Sequence, residues 1–149
     1  MKQERHIIVE QFRHGDQERF REVRRIRHEV FIIGQRVPEE LEYEFEEEAI
    51  HYLVKVDGMA VGTARWRETP KGIKLERFAV LEAERGKGTG TRLLERVMEE
   101  VLPMKKRIYL HAQVTAMNYY LRAGFVVIGE PFYEAGIEHY LMEYPGLPG

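Results

Sequence analysis

Ile73-Lys74-Leu75-Glu76-Arg77-Phe78-Ala79-Val80-Leu81 leads into Glu82-Ala83-Glu84-Arg85-Gly86-Lys87-Gly88-Thr89-Gly90 and then Thr91-Arg92-Leu93-Leu94-Glu95-Arg96-Val97-Met98-Glu99-Glu100-Val101. The first block reads as a strand and the second as a tight turn. The third places Leu93, Leu94, Val97, Met98 and Val101 on one helical stripe, with paired charges opposite, and Pro103 closes it. Within the strand, apolar positions 73 and 75 are followed by 78 and 80, a change of phase. Either one extra residue near 76 or 77 forms a β-bulge, or the end of the strand is buried on both faces. In the turn, three alternate glycines remove Cβ atoms where the backbone must bend, so successive N–H groups can point into one concavity. The positive end of the following helix adds to that field. The spacing therefore predicts an anion cradle, to which Arg85 and Lys87 can add charge.

Working outward, His6 to Phe12 reads as a first strand, and Asp16 as the N-cap of a helix running to about Ile32. Its apolar stripe is Phe20, Val23, Ile26 or Arg27, Val30 and Phe31, while Arg19, Arg21, Arg24 and Arg25 read as a solvated face. Gly34 and Pro38 end it. Ile50 to Val56 and Met59 to Trp66 flank Asp57-Gly58, a strong hairpin signal, and Thr69-Pro70-Lys71-Gly72 makes the next turn. Beyond the quoted stretch come a strand at Ile108 to Ala112 and a helix to about Arg122, stopped by Gly124. Strands at Phe125 to Gly129 and Ile137 to Glu143 precede a loose tail. This order predicts an α+β, or mixed α/β, single domain over residues 1–149, built on one mostly antiparallel sheet flanked by helices.

Composition narrows the function. The 149 residues are 44% hydrophobic with a formal net charge of −2, which fits an ordinary folded domain and argues against a general nucleic-acid binder. Having no cysteine excludes disulfides, thiolate nucleophiles and Cys-ligated zinc, and the six scattered histidines show no metal-ligand spacing. No apolar run approaches the roughly 20 residues of a spanning helix, and no signal-peptide core follows Met1, so a cytoplasmic protein without a membrane partner is expected. The near-neutral total conceals a block: residues 39–48 hold seven glutamates and no base. That block is either a solvated acidic loop or a lure for a cationic ligand.

Spacing also decides between cradles. A Walker loop fails because Lys87 is followed by Gly88, and a G-x-G-x-x-G dinucleotide fingerprint fails because Gly86, Gly88 and Gly90 fall at G-x-G-x-G. Arg85, Gly88 and Gly90 do fit R-x-x-G-x-G after an F-A-V strand, which resembles the coenzyme A loop of the GNAT superfamily of acyl-CoA-dependent N-acyltransferases. Downstream, Gln113 to Phe125 is similar to that family's N-x-x-A-x-x-F-Y-x-x-x-G-F signature, with Gln113 for Asn and Tyr119 for Phe. Val30 to Gln35 and Phe132 to His139 resemble the ElaA-like branch, although Gly34 replaces its usual glutamate.

The resemblance implies acetyl-CoA as co-substrate and a small-molecule or peptide amine as acceptor, with no metal; pairing into a homodimer stays open. Pyrophosphate would sit on Arg85, Gly86, Lys87, Gly88, Thr89 and Gly90, and pantetheine along Phe78, Ala79 and Val80, with an oxyanion-binding N–H near Val80. Tyr120 matches the family's tyrosine, which protonates the departing thiolate. The attacking amine needs a base, because a primary amine is mostly protonated at pH 7. Some relatives use an early strand glutamate, a position held here by Lys74. Glu76, two residues on, keeps the same parity unless the bulge intervenes, and His111 occupies the base position of other relatives. His51, Glu134 and His139 lie near where an acceptor would sit. The alternative is an acyl-CoA-binding module of the same fold that turns nothing over.

Overall fold

The structure, a computed structural model, describes residues 5–33 and 45–146. Gly34, Pro38 and most of the acidic block (39–44), together with residues 1–4 and 147–149, lie outside the described residues. Seven strands form one sheet: β1 (Ile7–Phe12), β2 (Ile50–Val56), β3 (Met59–Thr69), β4 (Gly72–Val80), β5 (Ile108–Gln113), β6 (Val126–Glu134) and β7 (Ile137–Glu143). They lie in the order β1-β2-β3-β4-β5-β7-β6, and every neighbouring pair is antiparallel except β4 with β5. The helices are α1 (Gln17–Arg27), α2 (Thr89–Val101) and α3 (Met117–Arg122).

Local chemistry accounts for the boundaries. Asp16 Oδ1 accepts from the Arg19 backbone N–H at 3.1 Å, the N-cap expected of that residue. Asp57 and Gly58 both have positive φ (51° and 83°), as a two-residue hairpin turn with the twist of its strands requires. The first helix does not stay α-helical to its end: His28–Ile33 is a π-helical stretch. The widened turn carries Val30 and Phe31 onto the same core as Phe20, Val23 and Ile26, and Arg27 is buried as well. The sixth strand is longer than the sequence predicts, because its register shifts between Ile128 and Phe132. This irregularity absorbs Gly129 (φ 75°) and Pro131 on an edge strand.

Alternation divides the sheet into two faces. Tyr52, Val54, Ala64, Trp66, Ile73 and Leu75 pack with the α2 stripe of Leu93, Leu94, Val97, Met98 and Val101 in the larger core. Each such aliphatic side chain contributes roughly 1.5–3 kcal/mol on full burial. The opposite face, under α1, carries Leu53 and Ala79 but also the polar residues of β3, β4 and β5.

Two features open this sheet. On β4, Ala79 pairs with Thr63 and Glu76 with Arg65, so Arg77 and Phe78 together oppose the single Ala64. Arg77 sits at φ 55°. The phase change is thus a bulge, and since it follows Glu76, Lys74 and Glu76 share one face. Secondly, β4 and β5 pair only over Ile73–Leu75 and Ile108–Leu110, and beyond that the two strands part.

Candidate active site

The parted strands leave a cavity of about 720 Å³, lined by the bulge, the glycine loop, the start of α3 and the β6–β7 end. Gly86 (φ 76°) and Gly88 (φ 85°) hold left-handed conformations there, and a Cβ on either would meet open space. Conformation, not room, requires glycine at these two positions. Gly88 is the N-cap of α2, whose first turn holds no acidic residue to offset its positive end. Gly90 is required by packing: a Cβ there would lie 3.2 Å from Tyr119 Cε1, and the Tyr119 hydroxyl donates to the Gly90 carbonyl. Arg85 lines the cavity with its Nε donating to the Val80 carbonyl at 3.0 Å. Lys87 is exposed and Thr89 buried, and neither lines the cavity. Phe78, Ala79 and Val80 do.

Tyr120 projects from α3 into the same space, 8% exposed, with its ring edge-on to Phe78 at 6.0 Å and Phe125 at 6.1 Å. Burial pushes its phenol well above the ordinary tyrosine range, so the hydroxyl keeps its proton at neutral pH.

Across the cavity, His111 Nδ1 lies 3.3 Å from Glu134 Oε1. The hydrogen bond from His111 holds the Glu134 carboxyl below its ordinary range. A carboxylate only accepts, so His111 carries its proton on Nδ1 and leaves the Nε2 lone pair free when neutral. His139 is fixed likewise, its Nδ1–H donating to the Ile137 carbonyl at 2.7 Å while Nε2 lies 3.7 Å from Glu134 Oε2. The Phe132 ring contacts both imidazoles, at 5.0 and 5.8 Å. Among the described residues no group of three or more His, Asp or Glu side chains converges closely enough to hold a metal ion.

Glu76 is the centre of an ionic cluster. Its Oε1 accepts from Arg65 Nε at 3.1 Å and Arg67 Nε at 2.8 Å, and its Oε2 lies 3.2 Å from Lys74 Nζ. Burial alone would raise this carboxyl, but the Arg67 hydrogen bond and the charges of Arg65 and Lys74 hold it down to about 2. Behind it, Glu46 pairs with Arg27 and faces Arg65 at 3.4 Å. His51 lies buried against Phe12 and Phe20 outside the cavity, its Nε2–H donating to the Glu46 carbonyl at 2.8 Å.

A family model for the acetyltransferase (GNAT) domain matches residues 12–145. The chain belongs to the GNAT family. Among its relatives, the uncharacterized N-acetyltransferase YjcF of Bacillus subtilis is 33% identical over 130 residues, covering 85% of this chain and 93% of that one. Escherichia coli ElaA superposes with a TM-score of 0.81 at 22% identity, covering 92% of this chain and 99% of ElaA. A GNAT family acetyltransferase from Elizabethkingia anophelis, solved with acetyl-CoA bound, superposes at 0.66 with 20% identity, over 92% of this chain and 94% of its own.

Of the residues that the sequence nominates for a GNAT site, Tyr120, His111, Glu76 and all the loop and strand positions except Lys87 and Thr89 line one cavity. Sequence reasoning gave Arg67 no role, set Lys74 aside, and took no account of the Tyr119 clamp on Gly90. Tyr119 was visible only as a departure from the family signature. Arg67 reaches the cavity wall through its cross-strand pairing with Lys74.

Proposed function

We propose that this GNAT protein transfers acetyl from acetyl-CoA to a primary amine by direct attack. The observation that carries the reading is the His111–Glu134 pair, which engages Nδ1 and leaves Nε2 available whenever the ring is neutral, in the same cavity as the Tyr120 phenol and the glycine cradle. The residues fit the co-substrate: left-handed Gly86 and Gly88 leave open concave space at the positive end of α2, where a diphosphate can settle. Pantetheine would lie along the Phe78–Val80 edge freed by the parting of β4 from β5.

The ammonium form of the acceptor first gives one proton to His111 Nε2, and the amine nitrogen then attacks the thioester carbon. A backbone N–H beside the bulge, near Val80, stabilises the oxyanion. As that intermediate collapses, the C–S bond breaks, Tyr120 protonates the sulfur, and the second amine proton leaves to solvent, which reprotonates Tyr120. His111 then passes its proton to solvent, so that from the ammonium form the products are an N-acetyl amide, free CoA and one released proton. Glu76 is assigned here as a counter-ion for Arg65, Arg67 and Lys74: a carboxyl held down to about 2 has too little proton affinity to serve as the base.

The test is thiol release from acetyl-CoA across a primary-amine panel, with CoA affinity measured in parallel. Amine-dependent release is expected. Tight CoA binding without release for any amine would favour the non-catalytic module.

A further inference from the structure

We propose that the acceptor is a small amine that also carries a carboxylate, such as a free amino acid, docked with its carboxylate on Arg67 and Lys74 and its amine toward His111. The proposal rests on the transferase reading above and deepens it.

Arg65, Arg67 and Lys74 converge on the one carboxylate of Glu76. Arg65 is also faced at 3.4 Å by Glu46, which is itself paired with Arg27, so Glu76 remains shared among Arg65, Arg67 and Lys74. Among the described residues, Arg27, Arg65, Arg67 and Lys74 stand against Glu46 and Glu76, so this cluster holds two more positive charges than negative. Arg67 and Lys74 line the cavity, and each side chain keeps 14% exposure. Among the described residues, Lys74 has three N–H donors and one partner, while Arg67 meets Glu76 through Nε and Nη2 and keeps its Nη1 donors. The Phe45 ring lies 3.9 Å from the Arg67 guanidinium carbon and covers one of its faces, so the guanidinium edge is what remains for a ligand.

The opposite sign lies within reach. Lys74 pairs with Tyr109 across β4–β5, and His111 follows two residues along the same face. Strand geometry sets the Cα atoms of Lys74 and His111 roughly 8 Å apart. The field of Lys74 contributes to lowering the Glu134 carboxyl, as that proximity requires. A cation pair beside an ionised carboxylate complements a zwitterion. A diamine or polyamine would bring a second ammonium against Arg67 and Lys74, and Glu46, from the acidic block, is already engaged with Arg27 and Arg65.

The experiment compares leucine and phenylalanine with their amides and with isoamylamine and phenethylamine, adding spermidine. It reads thiol release from acetyl-CoA and, by calorimetry, binding to the protein–CoA complex. The amino carboxylates are expected to exceed their matched amides and amines in kcat/KM by about tenfold or more, the worth of one charge-assisted hydrogen bond. Lys74→Glu should reverse the order. Release from amines and amides at equal or higher efficiency would overturn carboxylate docking and leave the transferase reading standing. If no amine gives release, calorimetry still decides: preferential binding of the amino carboxylates supports the dock, and its absence overturns it.

Discussion

Glu76 shows how burial and charge compete at a single residue. Removing its charge with Glu76→Gln strands Arg65 and Arg67 in a poorly solvated wall, and the expected loss is roughly 3–5 kcal/mol, read as a lower midpoint in denaturant. The same residue, with His51, sets the acid response. Burial holds the His51 imidazole down to about 3, so between about 6.5 and 3 the unfolded chain takes up a proton that the native chain refuses. Stability therefore falls with pH across that window. Glu76 stabilises the native state fully above its ordinary 4.5 and loses that contribution as pH falls toward about 2. Acid titration followed by fluorescence of Trp66 should show both losses, and His51→Gln should flatten the upper one. Tyr120→Phe and His111→Gln should each lower kcat about a hundredfold while CoA affinity holds; unchanged kcat in either would remove that residue's role. The cavity position of a single residue was legible where a motif fixed it, as with Tyr120 four before Gly124. Arg67, Lys74 and Glu76 come together as an ionic cluster only through cross-strand register, which no local pattern encodes.

At the scale of elements, the glycine loop and α2 were legible because their constraints are local. Alternation and turn chemistry are written in consecutive residues, and the phase change at 76–78 marks a real bulge. The π-helical stretch and the long sixth strand were not legible, since both depend on tertiary packing against neighbours distant in sequence. The loop also makes a separable prediction. Gly88→Val forces a β-branched residue to φ 85°, at a cost of about 1–2 kcal/mol, and should weaken CoA binding while thermal unfolding stays cooperative. Gly90→Ala should weaken binding through a different route, by displacing Tyr119 and loosening α3 from α2. Wild-type CoA affinity in both variants would contradict the cradle.

Over the whole molecule, one seven-stranded sheet does two jobs with its two faces. One face buries the α2 stripe, and the other presents polar residues to a cavity that exists because β4 and β5 pair for only three residues each. The element order and the mostly antiparallel sheet were predictable from the sequence; where the sheet opens was not, because that depends on how two parallel strands separate. No helix among the described residues is long and apolar enough to cross a membrane. The proposed acetyl transfer to nitrogen is read most directly by a mass balance. The protein is mixed with acetyl-CoA and an amino acid, and free CoA and N-acetylated product are counted together. Equal amounts of the two, both dependent on the amine, are expected; CoA release without acetylated amine, or bound acetyl-CoA that no amine discharges, would rule out the transfer.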